Sequence, residues 1–328
     1  MDGIDIALFD YDRHNAVYYF VVNSDEQIYL RYGGRDEESP ESYLNIESIE
    51  IAMKLGLGQH ELYKQGKLEK VVRPEKKLPK DIRALYEEVT TRRRCVECHL
   101  IADYETISKE EEGVLDKLQD MFRSPDIRNI GIHLDRPKGL VVERTEGAVA
   151  DAGMKPGDLI TTLNSKQVLT FGDYSYAYDK LSRDTKAIQI GVERDGTNHT
   201  LDVTLPKEWW WTDLYFRYWT IEPVLYLFSE KITDEEKAEL KLPVDGFAIR
   251  VTDVDPASKV YDLHDLKVDD IIYEVDGEQS DPYTDYADRH IQLTKTAGES
   301  MDIKFYRDGE SMEMTIWTHR QSFRKQPR

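Results

Sequence analysis

The chain holds only two cysteines in 328 residues, and a histidine follows the second: Cys95-Val96-Glu97-Cys98-His99. Three chemistries fit this spacing. C-x-x-C-H is the attachment pattern of a c-type haem: the two thiols add to the haem vinyl groups and His99 supplies an axial nitrogen to the iron. The pair could also act as a redox or metal-binding dithiol with an incidental histidine, or be two plain thiols at a helix start. A four-ligand structural zinc site would need ligands from elsewhere, because the chain has no second C-x-x-C and no H-x3-H. Arg92-Arg93-Arg94 lie just before the motif. They read as a solvated helix end, or as partners for haem propionates or a thiolate. If haem is bound, the candidates for the opposite axial position are Met121 and His133.

The run 16–22 (AVYYFVV) is a strand by its β-branched and aromatic content, Asn23-Ser24-Asp25-Glu26 a turn, and 28–32 the returning strand. The run 44–63 has helical period, with Leu44, Ile46, Ile49, Met53, Leu57 and Leu62 expected on one face and Ser42 or Asn45 as its cap. The basic, proline-containing stretch 67–81 reads as a linker. A helix over 82–91 delivers Cys95, and a helix over 114–122 ends near Met121.

The length predicts two or three domains. A net charge of −20 argues against nucleic acid and anionic membrane surfaces as partners. No 18-residue apolar run exists to span a membrane, and MDGIDIALFD has no leader character. Haem attachment would require a periplasmic or other extracytoplasmic location; without haem the expectation is cytoplasmic. Neither G-x-S-x-G nor a P-loop or dinucleotide fingerprint is present.

An internal repeat is the strongest signal after the cysteines. Gly153-Met154-Lys155-Pro156-Gly157-Asp158-Leu159-Ile160 recurs as Asp265-Leu266-Lys267-Val268-Asp269-Asp270-Ile271-Ile272, and Arg194-Asp195-Gly196 recurs as Arg307-Asp308-Gly309. An offset near 112 residues fits two tandem domains. The segment 147–160, G-A-V-A-D-A-G-M-K-P-G-D-L-I, with the helix expected over 172–181, resembles the circularly permuted PDZ domains found beside HtrA-type proteases. The second copy departs from the pattern, with His264-Asp265 for Ala-Gly and Val268-Asp269 for Pro-Gly. Its run 232–243 resembles a short inserted helix of such domains.

The resemblance implies recognition by strand addition, with loop N–H groups holding a terminal carboxylate. It assigns Asn129, Ile130, Gly131, Ile132, His133 and Leu134 to that role in the first copy, and Leu225, Tyr226 and Leu227 in the second. The first copy has a glycine in the loop and the second has none, which favours the first as the peptide acceptor. Trp209-Trp210-Trp211, Tyr215, Phe216, Tyr218 and Trp219 are expected to be buried between the two domains.

Over nearly its whole length the chain is similar to a bacterial family with a thioredoxin-like N-terminal region, a C-x-x-C-H segment and two PDZ domains. The resemblance is carried by F-D-Y-D at 9–12, R-Y-G-G-R-D at 31–36, R-C-V-E-C-H at 94–99, R-S-P-D-I at 123–127, I-G-I-H-L-D at 130–135 and W-W-x-T-D-L at 210–214. Some members are selenoproteins, which leads to the expectation that Met1 is an internal start behind a missing catalytic half.

The expected fold is α+β: a partial thioredoxin-like α/β unit (1–66), a linker and helical segment with C-x-x-C-H (67–122), and two PDZ domains (123–206 and 207–320), each a small β-sandwich with two helices. The expected function is a non-proteolytic adaptor that binds protein C-termini or extended peptides and carries haem or a dithiol. The alternatives are a thiol or selenol oxidoreductase whose catalytic half lies upstream, and a pure interaction scaffold.

Overall fold

The computed structural model describes residues 3–15, 17–93, 95–214 and 222–320. The architecture is mixed α/β, with several small antiparallel sheets. The chain divides into two compact units, Met1–Arg217 and Tyr218–Arg328.

The first unit opens with the hairpin β1 (Tyr18–Val22) and β2 (Ile28–Gly33), turned at Glu26 in the left-handed region, and then α1 (Ile46–Lys64). Asn45 caps α1 by accepting from the N–H of Ser48, as expected. The packed face differs from the expected one. Ser48, Ala52, Gly56 and Gln59 are buried, whereas Ile46, Met53 and Leu57 are exposed. Small residues let α1 lie close on the hairpin: a Cβ at Gly56 would stand 2.9 Å from Val21 Cγ1. Ile46, Met53 and Leu57 therefore face outward, while Ile49 and Leu55 pack against Leu30 and Tyr32.

The stretch read as a linker is bound in place. The Ile6 N–H donates to the Lys77 carbonyl, and Gln27 bonds the backbone of Glu69 and Val71. Then come α2 (Arg83–Arg92), α3 (Cys98–Glu111) and α4 (Lys117–Asp120), the last much shorter than the helix expected over 114–122.

The first copy of the repeat follows within this unit. After a 3-10 turn at Ile127–Ile130 come β3 (Ile132–Leu134), β4 (Val142–Thr145), α5 (Gly147–Asp151), β5 (Leu159–Leu163), β6 (Lys166–Gln167), α6 (Phe171–Asp179), β7 (Ala187–Arg194) and β8 (Thr197–Thr204). The strands β6-β5-β7-β8 form a sheet. β4 joins β5 through the Val141–Leu159 bridge and the Val142 N–H to Asp158 carbonyl bond. The N-terminal hairpin packs on this copy: the Arg31 N–H donates to Asp173 Oδ1 at 2.9 Å, and Tyr18 Oη donates to the Gly172 carbonyl at 2.8 Å. Trp209 and Trp210 are buried inside this unit, edge-on to Tyr178 and Phe122. That corrects their expected place between domains; Tyr215, Phe216, Tyr218 and Trp219 lie outside the described residues.

The second unit carries β9 (Pro223–Val224), β10 (Leu227–Lys231), α7 (Asp234–Glu239), β11 (Ile249–Val254), α8 (Ala257–Val260), β12 (Ile271–Val275), α9 (Ala287–Thr294), β13 (Ser300–Arg307), β14 (Glu310–Trp317) and β15 (His319–Arg320). Its main sheet runs β10-β11-β12-β13-β14 over a core of Phe247, Ile249, Ile272, Ile303 and Phe305, while β9 pairs with β15. α7 is the expected inserted helix, started by a Thr233–Glu236 capping box.

The repeated residues form one device in both units. Arg194 grips Asp158 with Nε and Nη2 at 2.6 and 2.7 Å and bonds the Gly153 carbonyl. Arg307 grips Asp270 at 2.8 and 2.6 Å and bonds the Asp265 carbonyl. In each copy the aspartate also accepts the N–H of the turn lysine, Lys155 or Lys267. The fork geometry of guanidinium on carboxylate thus ties the turn to the closing hairpin. The repeat motif is a clamp of the scaffold.

Candidate functional site

Two strand edges and the C-x-x-C-H turn are the places where chemistry could happen. β3 lies between the Ile127–Ile130 turn and Arg136. Register pairs Ile132 with Thr145 and Leu134 with Val142, while the Gly131 carbonyl accepts from the Glu146 N–H and Val142 turns its own backbone to Asp158 and Gly157. The backbone groups of Ile132 and Leu134 therefore face away from β4. In the second unit the Tyr226 carbonyl accepts from the Asp255 N–H. Val251, opposite Ser229, bonds Asp269 and Asp270, so Leu227 and Ser229 face the outer edge. The second of these edges runs beside α9.

The two edges differ in access. Ile132 is 0% exposed and Leu134 5%, although β4 takes only one side of β3. Ile130 and Gly131 are buried too, and Asn129 gives its side-chain N–H to the Trp211 carbonyl at 2.7 Å. The Gly131 N–H closes the 3-10 turn on the Arg128 carbonyl. Glycine is required here for the fold itself: φ is +91°, and a Cβ would stand 1.7 Å from the Glu146 carbonyl oxygen. On β10, by contrast, Leu227 and Ser229 are half-buried and Phe228 is 61% exposed.

Tyr226 takes the left-handed conformation (φ +56°) that Gly131 takes in the first unit. Its ring stacks on Tyr261, and its hydroxyl meets His319 Nδ1 at 3.1 Å. Leu225 is buried, and its carbonyl accepts from His264 Nε2 at 2.7 Å. Ser229 Oγ donates to Asp288 Oδ2 of α9 at 2.8 Å, and Lys231 pairs with Asp285 at 2.8 Å, which fixes the spacing of strand and helix. Sequence reading missed Ser229, Asp285 and Asp288, because only the tertiary contacts bring them together.

Cys95 is exposed, while Cys98 is half-buried as the first residue of α3. Burial first, and then the hydrogen bond with Cys98, push the Tyr11 hydroxyl well above its ordinary range. His99 Nε2 lies 3.4 Å from Glu97. Met121 is buried just after α4. Asp120 ties that element to Lys109, about 15 Å along α3 from His99 by the helix rise. His133 is held by Glu146 at 2.7 Å and by Arg144. The hydrogen bond from His133, then that from Arg144, holds the Glu146 carboxyl below the usual range. Cys95, Cys98 and His99 thus lie at the start of α3, Met121 follows α4, and His133 sits on β3 with Glu146 and Arg144. Among the described residues no group of three or more His, Cys, Asp or Glu side chains is arranged to hold a metal ion, and no helix is long and apolar enough to cross a membrane.

No protein-family model matches the chain, and no curated protein does. Among solved structures, the chain is similar to the HtrA-type protease AlgW with a decapeptide (16% identity, 50% of this chain and 55% of that one, TM-score 0.26). It is also similar to the same protease with a tripeptide (15% identity, 49% and 58%, TM-score 0.27). A third is the PDZ domain of EpsC from Vibrio cholerae (17% identity, 32% of this chain and 99% of that one, TM-score 0.17). The chain spans about half the length of the HtrA-type structures it matches.

Proposed function

We propose that the chain is a non-proteolytic interaction protein built on two PDZ-type domains, and that the second domain accepts an extended peptide along β10. The observation that carries this is the accessible outer edge of β10 beside α9, with alternate backbone groups at Leu227 and Ser229 turned outward. Main-chain hydrogen bonds to an added strand supply affinity there, and side chains along α9 and β10 supply selectivity. This reverses the weighting that the glycine of the first copy suggested: Tyr226 reaches the required backbone conformation without one, and the first edge is the covered one.

The test is binding of the full chain to a library of peptides with free C-termini, compared with Ser229→Pro. The Ser229 N–H faces the open edge, so proline there removes a donor to the incoming strand and spares the β10–β11 ladder. Loss of the selected peptides in the variant is expected. Undiminished binding in the variant, or no peptide selected by the native chain, rejects the reading.

A further inference from the structure

In the first unit a segment of the chain, residues 34–43, links the start of α6 to both flanks of β3. Gly34 lies against the Phe171 ring at the start of α6, where a Cβ would stand 2.3 Å from Cε1. Tyr43 stacks on the same ring with centroids 3.4 Å apart. The Tyr43 N–H returns to the Gly34 carbonyl and the Asp36 N–H to the Ser39 carbonyl, so the loop closes on itself and adds no strand. Its acidic tip reaches the other wall. Arg136, just past β3, donates to Asp36 at 2.6 Å and Glu38 at 2.8 Å, and Arg128, just before β3, donates to Glu38 at 3.0 Å. The loop is thus anchored on α6 and on residues at both flanks of β3, and Ile132 and Leu134 between those flanks are buried.

We infer that residues 34–43 act as an intramolecular ligand that keeps the first groove shut, and that an outside partner for this groove is an acidic segment able to take the place of Glu38 between Arg128 and Arg136. This rests on reading β3 and α6 as the walls of a strand-accepting groove; it does not depend on β10 binding anything.

The test is hydrogen exchange on the full chain, following residues 130–135, with β7 as the internal folding control. Gly34→Ala forces the loop off Phe171, and Tyr43→Ala removes the stack without adding bulk. Each is expected to speed exchange at Ile132 and Leu134 by about tenfold or more while β7 is unchanged. The probe is a synthetic peptide of residues 33–43. It is expected to restore protection in Tyr43→Ala, to do so poorly when its Glu38 is replaced by lysine, and to leave the native chain unaffected. Exchange at native rates in both variants, or equal peptide binding by native chain and variant, overturns the inference. Exchange at β10 read in the same experiment, with and without the selected peptide, reports on the second groove separately.

Discussion

The two repeats share a scaffold down to single hydrogen bonds, yet their outer strand edges are in opposite states. Asp158 and Asp270 sit in matching arginine forks, and Glu146 and Asp255 donate to matching carbonyls at Gly131 and Tyr226. Beside these, β3 is sealed and β10 is accessible. The difference lies in what surrounds the scaffold. The first copy is embedded in a unit whose N-terminal hairpin and 34–43 loop lie on α6; in the second, α7 is inserted between β10 and β11, and among the described residues no strand pairs with the outer edge of β10. Access to a groove is thus set by segments outside the repeat that defines it.

The largest expected effect separates the two loops. Gly131→Ala drives a Cβ into the Glu146 carbonyl and should destabilise the first unit by on the order of 3 kcal/mol or more in denaturant unfolding. At the matching position, Tyr226→Gly relieves a left-handed non-glycine residue but loses the Tyr261 stack and the His319 hydrogen bond, so it should cost clearly less than Gly131→Ala. Equal losses at both positions would mean that the loops are not equivalent in backbone. Next in size are Asp158→Ala and Asp270→Ala, each expected to lower the melting temperature of its own unit by several degrees and leave the other unit alone.

A smaller effect is a pH dependence contributed by one acid of the first unit. Burial raises the Asp173 carboxyl from 3.8 to about 6, with the Arg31 N–H and guanidinium opposing the rise. The folded form therefore takes up a proton at higher pH than the unfolded form. Stability from this group is greatest at low pH and is lost as pH rises from 3.8 through about 6. Asp173→Asn should flatten that slope, read as the melting temperature of the first unit against pH. The second unit has no counterpart to this acid under an N-terminal hairpin, so its slope should not change.

The repeat was legible in the sequence because its clamp depends on fixed residue types at fixed spacing: lysine, aspartate and arginine that meet through backbone and fork geometry. The β1–β2 hairpin, the Asn45 cap and α7 were legible for the same local reason. The packed face of α1 was not, because Ser48, Ala52 and Gly56 are buried for their small size, which no hydrophobic period reports. Nor was the covered edge of β3. Its cover comes from about ninety residues upstream, and only a tertiary contact brings Glu38 to Arg128 and Arg136.

The smallest expected effect bears most directly on what the open edge does. Phe228 is the exposed large side chain on β10, and His133 is its counterpart on β3. A solvent-facing phenylalanine on an edge strand invites self-association, a liability that proteins normally blunt with charge. The exposed Glu230 follows Phe228 two residues on, and charge there counters pairing between copies. Phe228→Ala should leave unfolding within about 0.5 kcal/mol of native, as expected for an exposed site. It should also weaken the selected peptides severalfold in a binding titration. If the variant binds as the native chain does, recognition on this edge is carried by main-chain bonds and α9 alone, and Ser229→Pro becomes the only lever on β10.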